Sequence, residues 1–138
     1  MPIVNLTQHA ATDDQVAAGV IDLKGNELAA LRDALTFDDI PSHSDLEDRA
    51  SYVAELACYN GLGGDNDEDP FFRKAMIGGA PFFMPHLEVA LASRGIEPVY
   101  AFSRRESVET HAGDGRVVKS AVFRHIGFVR GRAVPPVG

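Results

Sequence analysis

The 138-residue chain has no tryptophan and a single cysteine, Cys58. One cysteine cannot close a disulfide within the chain, and its scarcity suits a reducing compartment, so a cytoplasmic protein is expected. No apolar stretch approaches the ~20 residues that a membrane-spanning helix needs. The opening Met1-Pro-Ile-Val-Asn5 lacks a basic segment followed by an apolar block, so no secretory signal is expected. Cations are in the minority: 13 Lys and Arg against 20 Asp and Glu give a formal charge of −7. That balance argues against a protein coating long nucleic acid through its phosphates. G-x-G-x-x-G, G-x-x-x-x-G-K-[ST] and G-x-S-x-G are missing, so neither a dinucleotide fingerprint, a P-loop nor a serine-hydrolase elbow is present. The five histidines, His9, His43, His86, His111 and His125, are scattered without H-x-H or H-x-x-x-H spacing, and no metal site or cofactor is expected. The acidic run Asp65-Asn-Asp-Glu-Asp69 lacks the ligand spacing of an EF-hand.

What the chain does have is the composition of one globular domain, 45% apolar and 24% charged. A single domain over residues 1–129 and a loose tail over 130–138 are expected. Pro2 to Thr7 reads as a first strand ending in the polar run Thr7-Gln8-His9. Thr12-Asp-Asp-Gln15 fits a capping box and should open a helix that stops near Gly19. Val20 to Leu23 is a short second strand. Asn26 is the expected cap of a helix carrying Leu28, Leu31 and Leu35 at helical spacing. Ser44-Asp-Leu-Glu47 reads as a second capping box, with Leu46, Ala50, Val53, Leu56 and Ala57 on the apolar face of its helix. Residues 59–73, rich in Gly, Asp and Asn, read as an exposed loop.

The segment from Lys74 to Ser103 is the most informative. It reads as strand, glycine turn, helix closed by Gly95, and a second strand ending in polar residues, which is a βαβ unit with parallel strands. Its helix starts at Pro85, or at Pro81 with a kink. Gly113-Asp-Gly115 between β-prone segments signals a hairpin. The elements predict an α/β fold, a Rossmann-like three-layer sandwich with a mainly parallel sheet and a C-terminal β-hairpin.

In open α/β sheets ligands sit outside the carboxyl ends of the strands. Asn5, Thr7, Gln8 and His9 fall at such an end. Their amides and hydroxyl suit a base edge or a phosphate, and His9 suits proton transfer near neutral pH. The plain alternative is that Thr7 and Gln8 satisfy turn amides and His9 is solvated. Gly78 and Gly79 let a phosphate or a backbone approach closely, or simply permit a tight turn. Ser103, Arg104 and Arg105 follow the last parallel strand, and at most one of the adjacent arginines can face a site. Such an arginine would grip phosphate in bidentate fashion; otherwise both are surface charges paired with Glu106 or Glu109. Arg124 and His125 should face opposite sides of their strand.

Asn5-Leu-Thr-Gln-His9 with Thr12-Asp-Asp-Gln15 resembles the opening of small CRISPR-associated proteins related to the CRISPR-associated Rossmann-fold (CARF) domains and their stand-alone ring nucleases. Met76-Ile-Gly-Gly-Ala-Pro81 through Val99-Tyr-Ala-Phe-Ser103 resembles their later strand–helix–strand unit. The resemblance implies a homodimer that binds a cyclic oligoadenylate across its two-fold axis, with metal-free cleavage as the enzymatic form of that activity. It implies Asn5, Thr7, His9, Gly78, Gly79 and Ser103 as the ligand edge, and Arg104 or Arg105 on the phosphate. His9 and Arg105 are the expected catalytic pair. The alternatives are a non-enzymatic acidic inhibitor of phage or mobile-element origin, which the charge of −7 favours, and an enzyme of ordinary nucleotides.

Overall fold

Strand β1 (Ile3–Leu6) leads into a short helix α1 (Asp13–Ala17), then β2 (Val20–Asp22), α2 (Gly25–Ala34) and α3 (His43–Tyr59). The second half holds β3 (Lys74–Ile77), α4 (Met84–Ser93) and the two long strands β4 (Glu97–His111) and β5 (Val117–Arg130). The structure, a computed structural model, describes residues 2–59, 73–111, 113 and 115–131. The loop expected over 59–73 therefore lies almost wholly outside the described residues, as does the tail beyond residue 131 and Asp114 of the hairpin signal.

Local chemistry explains most of the boundaries. Thr12 caps α1 through a complete capping box: its hydroxyl accepts from Gln15 N–H at 3.2 Å while the Gln15 side chain accepts from Thr12 N–H at 3.0 Å. Two helix starts differ from expectation. Lys24 stands at the cap of α2 without a side-chain hydrogen bond, so Asn26 falls inside the helix. Helix α3 begins two residues earlier than the expected box implies, because the Ser42 hydroxyl, rather than that of Ser44, accepts from the Asp45 amide at 3.0 Å. The α4 ambiguity resolves to Pro85 in the first turn, where no N–H is needed.

The five strands form one sheet in the order β2-β1-β3-β4-β5, parallel except for the antiparallel β4–β5 pair. From β1 the chain crosses one way to β2, then reverses past β1 to reach β3. Right-handed crossovers in opposite directions put their helices on opposite faces. Helix α1 accordingly lies apart, beside β2 and against β5, while α2, α3 and α4 pack together on the other side. Contact of α1 with both β2 and β5, the two edges of the sheet, requires the sheet to curl around it.

Side-chain alternation matches this division. Val4, Leu6, Ala75 and Ile77 join Leu31, Val53, Phe83, Leu87 and Leu91 in the main core. Ile3, Val20, Met76 and Val99 form a smaller cluster under Ala11 and Phe128. Complete burial of each large aliphatic or aromatic side chain contributes about 1.5–3 kcal/mol, so the helix-covered face supplies most of the stability. The expected apolar face of α3 is present, with Ala54 added to it and Leu56 only partly buried.

One expectation about β4 is corrected. The strand does not end at Ser103 but continues to His111, paired with β5 down to His111↔Val117. Its register with β3 stops at Met76↔Val99, so beyond that point β4 and β5 form a two-stranded ribbon. An irregularity between Phe102 and Ser103 leaves Ile126 without an opposite residue. Strand β5 runs through Arg130, and the Gly131 N–H donates to the Pro98 carbonyl at 2.8 Å. The first residues of the expected tail therefore belong to the sheet.

Candidate functional site

The reversal of direction between β1 and β3 is a topological switch point, where the loops leaving two neighbouring strands diverge to opposite faces and open a crevice. A hollow of about 450 Å³ occupies that position, within the range of small-molecule sites. From the β1 end come Thr7, Gln8 and His9; from the β3 end, Gly78 and Gly79. Thr12, Gln15, Leu35 and Tyr100 complete the parts of the wall that bear on its chemistry.

Asn5 holds the β1 side in shape. It is 3% exposed, and its amide spends both ends on protein partners. The Nδ2 group donates to Asp22 Oδ1 and to the His9 carbonyl, each at 2.7 Å. The Oδ1 atom accepts from Thr7 N–H at 2.9 Å and from the Thr7 hydroxyl at 2.7 Å. Asp22 is its register partner on β2, and the Asp22 carboxylate also accepts from Ala11 N–H at 3.1 Å. This knot anchors residues 7–11 to the sheet, so that the polar loop projects from a fixed base. Asn5 therefore organises the loop from within rather than facing the hollow.

The side chains above that knot differ in freedom. Gln8 Nε2 donates to Thr36 Oγ1 at 3.2 Å, tying the loop to the end of α2. His9 is exposed at the rim. Gln15 uses its carbonyl oxygen in the capping box, which leaves its amide nitrogen for a ligand. On the β3 side Gly79 has φ +147°, a conformation that L side chains rarely adopt. Tyr100 donates to Glu88 Oε1 at 3.3 Å. Burial, and then the Glu88 carboxylate beside it, push the Tyr100 phenol up to about 12, so it remains a neutral hydrogen-bonding group.

Of the sequence-predicted residues, the fold brings Thr7, Gln8, His9, Gly78 and Gly79 together, with Asn5 beneath them. It does not bring Ser103, Arg104 or Arg105, which lie exposed on the ribbon opposite His125, Arg124 and Phe123. The expected convergence of three stretches is thus corrected to two, because β4 passes beyond the crevice instead of ending at it. Its contribution comes earlier, from Tyr100 and Ala101. Among the described lining residues there is no Asp, Glu, Lys or Arg, and His9 is the one histidine. Arg124 pairs with Glu106 at 2.9 Å, and His125 stacks edge-on against Phe128 with ring centroids 4.8 Å apart.

Sequence reasoning missed Thr12 and Gln15 as wall residues because a capping box explains them fully. It missed Tyr100 because an aromatic in a strand reads as core. The picture of scattered histidines is also corrected: among the described residues, His43 and His86 meet beside Glu47. The i,i+4 pair His43 and Glu47 was visible, but His86 joins it only through helix packing.

Fold and crevice together define a curled α/β protein with a hollow of mixed apolar and polar lining, free of Asp, Glu, Lys and Arg among the described residues, at its strand switch point. The chain belongs to the uncharacterized protein MJ1673 family, whose profile matches residues 1–129. No curated protein and no solved structure matches it. Among the described residues no helix is long and apolar enough to cross a membrane.

Proposed function

We propose that the switch-point hollow binds the nucleoside part of a nucleotide-derived ligand, a cyclic oligoadenylate in the first instance, in antiviral defence or counter-defence. The observation that carries this reading is the meeting of Thr7, Gln8 and His9 with Gly78 and Gly79 in one hollow of about 450 Å³. Amides and hydroxyls on an anchored rim suit a base edge and a ribose better than a naked phosphate, since among the described residues no Lys or Arg lines the wall. A Rossmann-like, three-layer description of the fold belongs to the same proposal, supported by the 2-1-3-4 order of the parallel strands.

In the enzymatic form of the proposal a ribose 2′-hydroxyl attacks the neighbouring phosphodiester, its proton passing to His9. The new 2′-oxygen–phosphorus bond closes a 2′,3′-cyclic phosphate as the bond to the next nucleotide's 5′-oxygen breaks, and that oxygen leaves as a hydroxyl with a proton from water. Positioning by the loop then supplies most of the rate. Arg105 is the weaker member of the expected pair, because it stands on the ribbon and not at the hollow. A homodimer is proposed alongside. Phe123 is 73% exposed and Phe102, Val117 and Val118 about half exposed on a ribbon with no third strand among the described residues, and isolated two-stranded ribbons are marginal in water.

Incubation with cyclic tri-, tetra- and hexa-adenylate in the presence of a chelator, with binding and products both followed, tests the reading. Binding that His9→Ala leaves intact while abolishing cleavage supports the enzymatic form. Absence of both binding and turnover for every ring overturns it. Light scattering of Phe123→Asp tests the dimer, whose loss in the variant is expected.

A further inference from the structure

We propose that His43, Glu47 and His86 form a binding site for a divalent transition-metal ion, separate from the switch-point hollow. Helix α3 starts at His43, so His43 and Glu47 are one turn apart on the same face. Helix α4 starts at Met84 and presents His86 in its first turn, and the two helices pack against each other. The two imidazole rings lie with centroids 5.0 Å apart at 69°. His43 Nε2 is 2.9 Å from Glu47 Oε1, and one ligand atom from each of the three residues lies within 4.8 Å of the others.

That spread suits a metal. Bonds of about 2.0–2.2 Å to nitrogen and carboxylate oxygen put tetrahedral ligand atoms about 3.4 Å apart. The His43–Glu47 pair must open slightly and the His86 ring must swing inward. The side chains of His43 and Glu47, 76% and 62% exposed, have the freedom to do so. Two imidazoles and one carboxylate select zinc, cobalt, nickel or copper over magnesium or calcium, which prefer all-oxygen shells. An exposed His–Glu pair by itself contributes little stability, whereas the convergence of a second imidazole from another helix makes a chelate.

Three protein ligands leave at least one coordination position open, the arrangement of reactive rather than purely structural metal sites. Beside the cluster runs a groove whose walls include Glu47, Ser51, His86, Val89, Ser93 and Arg94. Arg94, held by the Ala90 carbonyl at 3.0 Å and facing Glu55 at 3.7 Å, places a cation on that wall. The open position therefore suits water or a small oxyanion. None of the three ligands lines the switch-point hollow, so this site stands or falls independently of the nucleotide proposal.

The test uses the full chain freed of metal by chelation, titrated calorimetrically with zinc and spectroscopically with cobalt. One equivalent of zinc is expected, with visible d–d bands for cobalt and a rise in thermal midpoint when zinc is saturating. His86→Ala and Glu47→Gln should each weaken binding by at least about tenfold and reduce the cobalt bands, while their metal-free midpoints stay at the wild-type value. His111→Ala should bind as the wild type does. Absence of zinc binding by the wild type overturns the proposal. So does unchanged affinity in a variant lacking all three ligands, which would place the metal on other side chains.

Discussion

Replacing Asn5 by leucine tests the account of how the loop over the hollow is held. Leucine has the branched shape of asparagine with bulkier methyl ends, and it neither donates nor accepts, so the site loses its polar partners. The bond to the Asp22 carboxylate, 2.7 Å long, involves a charged acceptor and is worth about 1.5–3 kcal/mol. The bonds to the His9 carbonyl and from the Thr7 amide add about 0.5–1.5 kcal/mol each. Burying the apolar leucine returns about 1.5–3 kcal/mol. The balance is a loss of about 2–3 kcal/mol, equivalent to about 10 °C in thermal midpoint for a domain of this size. Urea denaturation should show a lowered midpoint with an unchanged slope. Hydrogen exchange should quicken at the Ala11 amide, whose acceptor is Asp22. Thr7→Val removes the hydroxyl's bonds to Asn5 Oδ1 and the His9 carbonyl but keeps the amide's bond to Asn5, and should cost about 0.5–1.5 kcal/mol. An Asn5→Leu protein within about 1 kcal/mol of wild type, with Ala11 still protected, would refute the reasoning.

Gly79→Ala places a side chain at φ +147° and should destabilise by about 1–3 kcal/mol in denaturant titrations. Gly78→Ala should stay within about 0.5 kcal/mol of wild type, since its methyl would stand 3.6 Å from Thr7 Cγ2 in ordinary contact. It should nevertheless weaken any ligand of the hollow, and equal effects of the two substitutions on stability would contradict the backbone argument. The raised value of Tyr100, about 12, means that its folded-state phenol keeps a proton that the unfolded chain releases. Its contribution is full below the ordinary tyrosine value of about 10 and is lost as pH rises through that window toward about 12. Ultraviolet titration should show one phenol ionising near about 12, absent in Tyr100→Phe, and that variant should lose less stability over the same range. Burial chiefly, against an opposing influence from Arg94, raises the Cys58 thiol above its ordinary value. Thiol reagents should therefore label native protein slowly at neutral pH and unfolded protein quickly. Labelling of the native protein at the rate of a free thiol would sink that reading.

Features set by residues close together in the chain were legible without coordinates. The Thr12–Gln15 capping box, the βαβ unit from Lys74 and the hairpin around Gly113 each follow from hydrogen bonds or periodicity within a few positions. They appear where expected. The same reach explains Thr7, Gln8, His9, Gly78 and Gly79, since each sits just past the end of a recognisable strand. Misreadings arose where a boundary had no local signal. Nothing in Ser103-Arg-Arg105 reveals that β5 is long enough to pair with β4 down to His111, and that pairing carries the arginines away from the crevice.

Tertiary structure alone decided which strand ends became neighbours. The order β2-β1-β3 results from one crossover in each direction, and the handedness of both is imposed by strand twist rather than by any motif. That reversal opens the hollow, joins Asn5 to Asp22 and curls the sheet about α1. Helix packing in turn sets His86 beside His43 and Glu47. Periodicity and capping act over one or two turns of chain, whereas these meetings bridge tens of residues and depend on how the layers close.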